Sequence, residues 1–245
     1  MTPSSSPTIR LVAPAKLTIG LRITGVRPDG FHLIDAEMVT LDLVDTLDIT
    51  EGDSLQIVDA ATGAAHVVDA GDDNLVRRAL HLVGTLAAVR LAKAIPPGAG
   101  LGGGSADAAA ILRWAGFTDL DAAAALGADV AFCLVGGRAR VSGIGEIVEP
   151  LPFVARTFTL WTPPFGCSTP AVYRAWDDLG GPEGDLGNDL EEAALVVQPR
   201  LAQWRDRLAD ISGQRPRLAG SGSTLFVEGS HPGDGRIVVH TTPAT

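Results

Sequence analysis

Apolar and other residues alternate along most of the first third of the chain. In the segment 9–25, every second residue from Ile9 to Ile23 is apolar, which is the repeat of a half-buried strand. Pro14 lies inside this segment, and the pattern is typical either of two strands or of one bent strand. Residues 36–50 alternate in a similar way, and residues 54–69 predict a weaker β meander. This part of the chain is therefore predicted to be mainly strand.

Helical spacing begins after residue 74. Apolar stripes and strong helix formers predict helices at 75–86, 105–114, 120–126, 169–176 and 190–208. Asp73 is the predicted N-cap of the first helix, Gly127 the predicted end of the third, and Pro199 is expected to break or kink the last. Further strands are predicted at 87–91, 139–148, 157–162 and 217–227, the last interrupted by 220–223.

The order of these elements favours an α+β fold, because strands and helices do not alternate as a repeated strand–helix–strand unit. The tail from Gly229 contains one apolar run, at 237–239, which fits an edge strand or a frayed end. The composition changes near 150–152, and we place there the boundary between two predicted domains, 1–150 and 151–245.

Composition and charge narrow the class of protein. Hydrophobic residues make up 46% of the chain and aromatic residues 5%, so the core is predicted to consist of small and aliphatic side chains. The net charge is −10, and we expect no nucleic-acid partner because such a partner requires a basic surface. The two cysteines, Cys133 and Cys167, form neither a disulfide framework nor a zinc motif. Residues 1–8 lack the apolar core of a signal peptide and no apolar run is of membrane-spanning length, which predicts a cytoplasmic protein without a membrane partner.

The most informative segment is the glycine-rich stretch IPPGAGLGGGSAD, residues 95–107. Five glycines fall within the seven positions 98–104, and a helix is predicted directly after them. Glycines let the backbone adopt positive φ and expose consecutive N–H groups, and a helix start adds unpaired N–H groups and a positive dipole end. We therefore predict that a polyphosphate binds to Pro96, Pro97, Gly98, Ala99, Gly100, Leu101, Gly102, Gly103, Gly104, Ser105 and Ala106.

Two better-known phosphate loops do not fit this stretch. No lysine follows the glycines, which excludes the lysine-bearing P-loop. Gly98, Gly100 and Gly103 match the spacing G-x-G-x-x-G, but a dinucleotide fingerprint requires a strand–helix–strand context that is absent. The Ser105 hydroxyl at the helix start is placed to touch a phosphate oxygen or a bound Mg²⁺. It is our one candidate metal ligand, and the others stay open.

Lys16 and Asp129 are the candidate chemical pair. Each is a charge in apolar surroundings, in PAKL and in LGADVAF respectively, and phosphoryl transfer needs charge neutralisation and a base for the acceptor hydroxyl. Each residue also has a plainer interpretation, a strand lysine that faces solvent and an aspartate that caps a helix.

Separated blocks resemble the GHMP kinase superfamily of galacto-, homoserine, mevalonate and phosphomevalonate kinases. They occur in the same order over most of the chain: APAKLTIGLRITGVRPDGFH (13–32), IPPGAGLGGGSADAAA (95–110), LGADVAFCLVGGRARVSGIGE (126–146), FGCSTPAVYRAWD (165–177), GNDLEEAA (187–194) and LAGSGSTLFV (218–227). The first and third blocks are most similar to those superfamily members that act on a cytidine diphosphate-linked methylerythritol.

The resemblance implies a fold and a set of roles. The fold would be two-lobed and α+β, with an N-terminal lobe like domain 2 of ribosomal protein S5 and the site between the lobes. ATP and Mg²⁺ would be the cofactors, Asp129 the general base and Lys16 the residue that keeps it ionised. The 2-hydroxyl of the cytidylylated methylerythritol would be the acceptor. Its predicted contacts are Thr18, Phe31, His32 and Tyr173.

Alternatives stay open at this level. Thr18 stands where this family usually has Asn, and Phe31 where it usually has Tyr. A second hypothesis is another kinase of the superfamily, acting on homoserine, a mevalonate derivative or a sugar, although an aromatic–His pair at 31–32 suits an acceptor with a base. A third is an inactive member that serves as a binding protein, which the presence of Lys16, Asp129 and the glycines disfavours. We expect a monomer or a weak homodimer.

Overall fold

The fold is described from a computed structural model that covers residues 7–244. Residues 1–6, which belong to the segment interpreted as lacking a signal peptide, and Thr245 lie outside the described residues. The strands of the described part are β1 (Ile9–Val26), β2 (His32–Thr50), β3 (Ser54–Asp59), β4 (Ala88–Lys93), β5 (Arg138–Gly143), β6 (Ile147–Pro150), β7 (Thr157–Trp161), β8 (Arg217–Leu218), β9 (Leu225–Glu228) and β10 (Arg236–Thr242).

Helices occupy the chain between several of these strands. They are α1 (Leu75–Leu82), α2 (Gly103–Trp114), α3 (Leu120–Leu126), α4 (Val130–Val135), α5 (Thr169–Asp178), α6 (Glu191–Val197) and α7 (Leu201–Ser212). Among them, α2, α4 and α7 pack on the sheet. The α+β prediction is confirmed. Among residues 7–244, no helix combines the length and the apolar character that crossing a bilayer requires.

The long antiparallel pair β1–β2 organises the first part of the sheet, and among the described strands β1 pairs with β2 alone. β1 is one bent strand, because the register with β2 shifts between Pro14 and Lys16, where proline cannot donate a ladder hydrogen bond. β2 also pairs with β4 and β5, and β3 lies parallel to β4. The bend brings the Lys16 side chain to the sheet face next to the glycine loop.

Three expectations were wrong in detail, and one helix was not predicted. The strand expected at 139–148 is a hairpin, β5–β6, which turns through Gly143 and Gly145. Only 54–59 of the expected meander is strand, and α4 was not predicted at all because six residues are too few for a periodicity signal. The cap of α1 is Asn74, whose Oδ1 accepts from Val76 N at 2.9 Å, rather than Asp73.

The C-terminal part of the chain also differs from expectation. β10 is neither frayed nor a simple edge, because residues 236–240 pair with β7 and residues 241–242 pair with β2. This strand joins the first strands of the chain to β7, β8 and β9. The predicted break at Pro199 is confirmed, since α6 ends at Val197 and α7 begins at Leu201.

Small side chains let the helices pack closely on the sheet. The middle of α2, from Ala106 to Leu112, is buried, and it is rich in alanine, with Ala106, Ala108, Ala109 and Ala110. Ala99 and Leu101 of the glycine loop belong to a second cluster with Leu17, Leu41, Phe158 and Phe226. Cys133 is buried and Cys167 half-buried, both as free thiols. The loop is therefore anchored by its own apolar residues between α2 and the sheet.

Candidate active site

The glycine loop reaches α2 through glycines with left-handed backbone. Gly100 has φ 78° and Gly102, the N-cap of α2, has φ 68°, a region that favours glycine. A Cβ on Gly100 would lie 2.7 Å from the carbonyl oxygen of Ala219, and one on Gly102 would lie 2.8 Å from Cγ of Lys16. The two glycines therefore permit close approach to Lys16 on one side and to the 219–223 turn on the other.

A cavity of about 510 Å³ opens on this loop. Its walls are the loop itself, residues from the segment 68–75, and the side chains of Leu91, Lys93, Ser105 and Asp107. The first N–H groups of α2, a helix of 12 residues, have no partner inside the helix and lie at the positive end of its dipole. The cavity and the helix start together are suited to a nucleotide with its phosphates on the loop.

Lys16 and Asp129 come together beside the loop. Lys16 Nζ is 3.1 Å from Asp129 Oδ2 and donates to Thr18 Oγ1 at 3.1 Å. The Lys16 backbone N–H donates to the carbonyl of Leu101 at 3.0 Å, which ties β1 to the loop. Lys16 is only 5% exposed, so the interpretation as a solvent-facing strand lysine does not describe it.

Asp129 lies at the start of α4. Its side chain makes no capping hydrogen bond within the described residues, and it is 30% exposed. Its carboxylate is therefore accessible on one side and paired with an ammonium on the other. A carboxylate in this arrangement can accept the proton of a hydroxyl that binds on its open side.

The predicted acceptor residues lie in three places: Thr18 beside Lys16, His32 together with Tyr173, and Phe31 on the surface. His32 packs on Tyr173 with ring centroids 4.8 Å apart and on Trp176 at 5.6 Å, and its Nε2 is 2.8 Å from Asp177 Oδ1. Burial, with the charge of Asp129 as a further cause, raises the pKa of Tyr173 to about 12. Tyr173 belongs to the His32 cluster and forms one aromatic wall of it.

Phe31 occupies a different place from His32. It is 57% exposed, and the Arg27 guanidinium lies 5.9 Å from its ring centroid. In the part of the chain that the structure describes, Phe31 is not among the rings that pack on His32. Trp176 and Asp177 complete the His32 cluster instead, although both lie in a block that the sequence had already marked.

The 219–223 turn closes the site from the C-terminal side. Thr224 N donates to the carbonyl of Ala99 at 3.1 Å. A Cβ on Gly220 would lie 3.7 Å from Thr18 Oγ1 and 4.0 Å from Lys16 Nζ. Lys16 is thus enclosed by the glycine loop, Asp129 and this turn.

A buried charge cluster supports the loop from behind, and sequence reasoning missed it. Lys93 Nζ donates to Asp107 Oδ2 at 2.7 Å and also to the carboxylate of Asp45. Asp45 Oδ1 accepts from the backbone N–H of Ala94 at 2.5 Å and of Ile95 at 2.8 Å. The cluster fixes both ends of the loop, its entry at 94–95 and its exit into α2.

The protonation of this cluster is unusual. Burial raises the pKa of Asp107 to about 7, although the charge of Lys93 opposes this. Burial lowers the pKa of Lys93, and the Asp107 and Asp45 carboxylates outweigh it, so that the net shift is upward. Lys93 therefore stays charged while Asp107 can take up a proton. The sequence signal for this cluster was Lys93, a lysine at an inward-facing position of β4, directly before the glycine loop.

Comparison with known proteins identifies the family. Residues 67–137 match the GHMP kinases N terminal domain. The 4-diphosphocytidyl-2-C-methyl-D-erythritol kinase of Paracoccus denitrificans is 40% identical over 89% of this chain and 85% of its own length. The enzyme of the same name from Ruegeria pomeroyi is 37% identical over 93% of this chain and 90% of its own length.

Solved structures agree with the sequence relatives. A crystal structure of 4-(cytidine 5'-diphospho)-2C-methyl-D-erythritol kinase superposes with a TM-score of 0.75 at 28% identity, covering 95% of this chain and 99% of that one. A homoserine kinase from Cytophaga hutchinsonii shares the fold with a TM-score of 0.61 at 17% identity, over 100% of this chain and 97% of that one. By its sequence relatives, the chain belongs to the 4-diphosphocytidyl-2-C-methyl-D-erythritol kinase family.

Proposed function

We propose that this protein transfers the γ-phosphoryl group of ATP to the 2-hydroxyl of 4-diphosphocytidyl-2-C-methyl-D-erythritol, a step in the synthesis of isoprenoid precursors by the non-mevalonate route. The observation that carries the proposal is the Lys16–Asp129 pair, 3.1 Å apart and enclosed by the glycine loop. The acceptor is inferred from the names of the relatives. Phosphoryl transfer is inferred from the arrangement of Lys16, Asp129 and the glycine loop.

The glycine loop is the proposed phosphate site. Its backbone N–H groups and the start of α2 offset the phosphate charge within a protein of net charge −10. Within residues 7–244 no cluster of three or more His, Cys, Asp or Glu side chains could hold a metal by itself. That fits Mg²⁺, which binds through one or two protein groups together with substrate phosphates. We propose the Ser105 hydroxyl as one such group, and the ion would neutralise charge on the β- and γ-phosphate oxygens.

Asp129 is the proposed general base. As the acceptor oxygen forms its bond to the γ-phosphorus, the bond to the bridging oxygen of ADP breaks, and the hydroxyl proton passes to the Asp129 carboxylate. The Lys16 ammonium pairs with that carboxylate and offsets charge that develops on the transferred group. The Thr18 hydroxyl, which accepts from Lys16 Nζ, fixes the direction in which the ammonium points.

The His32 cluster is the proposed site for the cytidine end. Asp177 orients the His32 ring through Nε2, which leaves Nδ1 for the base, and Tyr173 supplies an aromatic wall. Phe31 is proposed as a second aromatic face, since its exposed ring is available for stacking.

We further propose that the two lobes divide at residue 150, so that the acceptor and the nucleotide meet between them. Support comes from strand pairing, because β1–β6 pair mainly among themselves, β7–β9 pair together, and β10 connects the two groups. We propose that the enzyme acts in the cytoplasm as a monomer or a weak homodimer.

An acceptor screen tests the function. The purified protein is incubated with ATP, Mg²⁺ and one acceptor at a time, and ADP release is coupled to a dehydrogenase assay while ³¹P NMR detects the new phosphomonoester. We expect turnover with 4-diphosphocytidyl-2-C-methyl-D-erythritol. Turnover with homoserine or mevalonate instead would assign the chain to another substrate class. If no acceptor leads to ADP release, the hypothesis of an inactive binding protein is favoured.

A further inference from the structure

Asn188 is a buried amide whose hydrogen-bonding groups are all used. It is 4% exposed, in the short segment between α5 and α6. Its Nδ2 donates to the carbonyl of Leu218 at 2.9 Å and to that of Gly220 at 2.8 Å. Its Oδ1 accepts from the N–H of Leu190 at 3.0 Å, at the start of α6. An asparagine is required here because one side must donate twice while the other accepts.

The backbone on both sides of Asn188 is joined to β1. Leu21 N donates to the carbonyl of Gly187 at 2.7 Å, and Asp189 N donates to the carbonyl of Leu21 at 3.0 Å. The Asp189 carboxylate accepts from Ile23 N at 2.8 Å and from the Arg22 guanidinium at 2.5 Å. Asn188 therefore has a fixed position relative to the strand that carries Lys16 and Thr18.

The carbonyls that Asn188 holds belong to the turn that closes the site. Gly220 lies beside Thr18 Oγ1 and Lys16 Nζ, and the turn carbonyls of Ala219 and Gly222 face Gly100 of the glycine loop. Asn188 therefore connects two elements: its backbone neighbours bind β1, and its side chain binds the turn that covers the Lys16 ammonium.

We propose that Asn188 is a positioning residue for phosphoryl transfer, which holds the 218–220 backbone at a fixed height over Lys16 and the glycine loop. This inference rests on the proposed function of that site. Asn188 does not touch the reacting atoms, and it acts through the turn. Small displacements of groups around a reacting centre cost large factors in rate. We therefore expect that loss of the Asn188 side chain lowers kcat and raises the KM for ATP, while acceptor binding is unaffected.

The chemistry of the amide defines the variants. Asn188→Asp keeps the shape but replaces two donors by an acceptor that faces two carbonyl oxygens. Asn188→Ser keeps one hydroxyl donor and leaves room for a water molecule, and it serves as a second variant if the first does not fold. Gln203→Glu introduces the same amide-to-acid change on an exposed position of α7 and is the matched control.

Steady-state kinetics give the first measurement. We expect Asn188→Asp to lower kcat by about tenfold to a hundredfold and to raise the KM for ATP, with the acceptor KM within twofold of wild type. We also expect the relative activity of Asn188→Asp to recover as the pH falls, because a protonated carboxyl donates one hydrogen bond to the turn. A purely structural role would lower the thermal midpoint without changing either kinetic constant below the transition, and that result would overturn the proposal.

Hydrogen exchange of the nucleotide-free protein gives the second measurement, and it does not depend on the identity of the acceptor. The amides of Gly222 and Thr224, which donate to Ala219 and Ala99, should exchange faster in both Asn188 variants, while the amides of α1 keep their wild-type rates. Unchanged exchange at Gly222 and Thr224 would refute the role of Asn188 in holding the 218–220 backbone, even if the kinase activity is confirmed. Faster exchange in a protein that phosphorylates none of the acceptors would refute the proposed function but not this structural role of Asn188.

Discussion

Gly145 packs against the carbonyl oxygen of Ala128 so closely that a Cβ at position 145 would overlap it. The φ of Gly145 is 117°, a conformation that other residues rarely adopt. The turn between β5 and β6 therefore supports the backbone directly before Asp129. Through this contact a glycine distant in sequence from the phosphate loop helps to position the proposed base.

Gly145→Ala should lower kcat by about tenfold or more, because the new Cβ displaces the backbone at 128 and with it the Asp129 carboxylate. ATP affinity should change little. Gly116→Ala is the control, since Gly116 also has positive φ, 70°, but no described neighbour within 4 Å of a built Cβ. Equal kinetic losses in the two variants would show that backbone strain alone is responsible.

Asp129→Asn should reduce kcat by about a hundredfold or more, the usual contribution of a general base, while ATP binding measured by calorimetry stays close to wild type. The exposed Asp121 of α3 provides the control Asp121→Asn, which should keep full activity. Survival of turnover in Asp129→Asn would mean that another group takes the proton.

Gly102→Ala and Gly98→Ala form a matched pair, because both glycines have φ 68°. Only the first change brings a Cβ to 2.8 Å from Lys16 Cγ, whereas a built Cβ on Gly98 has no described neighbour within 4 Å. We expect the kcat of Gly102→Ala to fall further than that of Gly98→Ala in steady-state assays. The reverse order would contradict the contact between the loop and Lys16.

Asp177→Asn should raise the acceptor KM several-fold, because His32 loses the carboxylate that orients its ring. The KM for ATP should stay unchanged, since the glycine loop is untouched. Asp178→Asn, at the neighbouring exposed position, should leave both constants unchanged. A rise in the KM for ATP with no change for the acceptor would place the cytidine end elsewhere.

The pH dependence of stability should report on Asp107. Its pKa of about 7 in the folded protein lies above the usual value of 3.8 for an aspartate, so the folded state binds this proton more tightly than the unfolded state does. The stabilisation is complete below the unfolded pKa and is lost as the pH rises through about 7. In Asp107→Asn this contribution disappears, and urea unfolding should show a slope that differs from wild type by up to about 1.4 kcal/mol per pH unit in this window. Identical slopes would contradict the raised pKa.

Sequence patterns predicted those parts of the candidate site whose residues lie close together along the chain. The glycine run and the start of α2 lie within a dozen residues, so composition and helix propensity suffice for them. Lys16 and Asp129 were each singled out by a charge in apolar surroundings, but their contact depends on the bend of β1 and on α4, which is too short for any periodicity.

Long-range features escaped sequence reasoning for physical reasons. A buried charge such as Asp45 is indistinguishable in sequence from a surface charge, because only the fold brings Lys93 and Asp107 to it. The same holds for β10, whose short apolar run gives no sign that it pairs with both β2 and β7. Asn188 lay in a marked block, yet its two carbonyl partners are distant in sequence.

The double pairing of β10 has a consequence for how the protein folds. Among the described strands β10 is synthesised last, yet it joins β2 to β7. The sheet therefore cannot be completed until residues 236–242 are available, and until then β7 presents one unpaired strand edge and β2 lacks a partner at Thr40 and Leu41. Contacts of such large sequence separation slow folding and prolong the exposure of these edges. Chaperone dependence during synthesis should accordingly be governed by the arrival of this one strand.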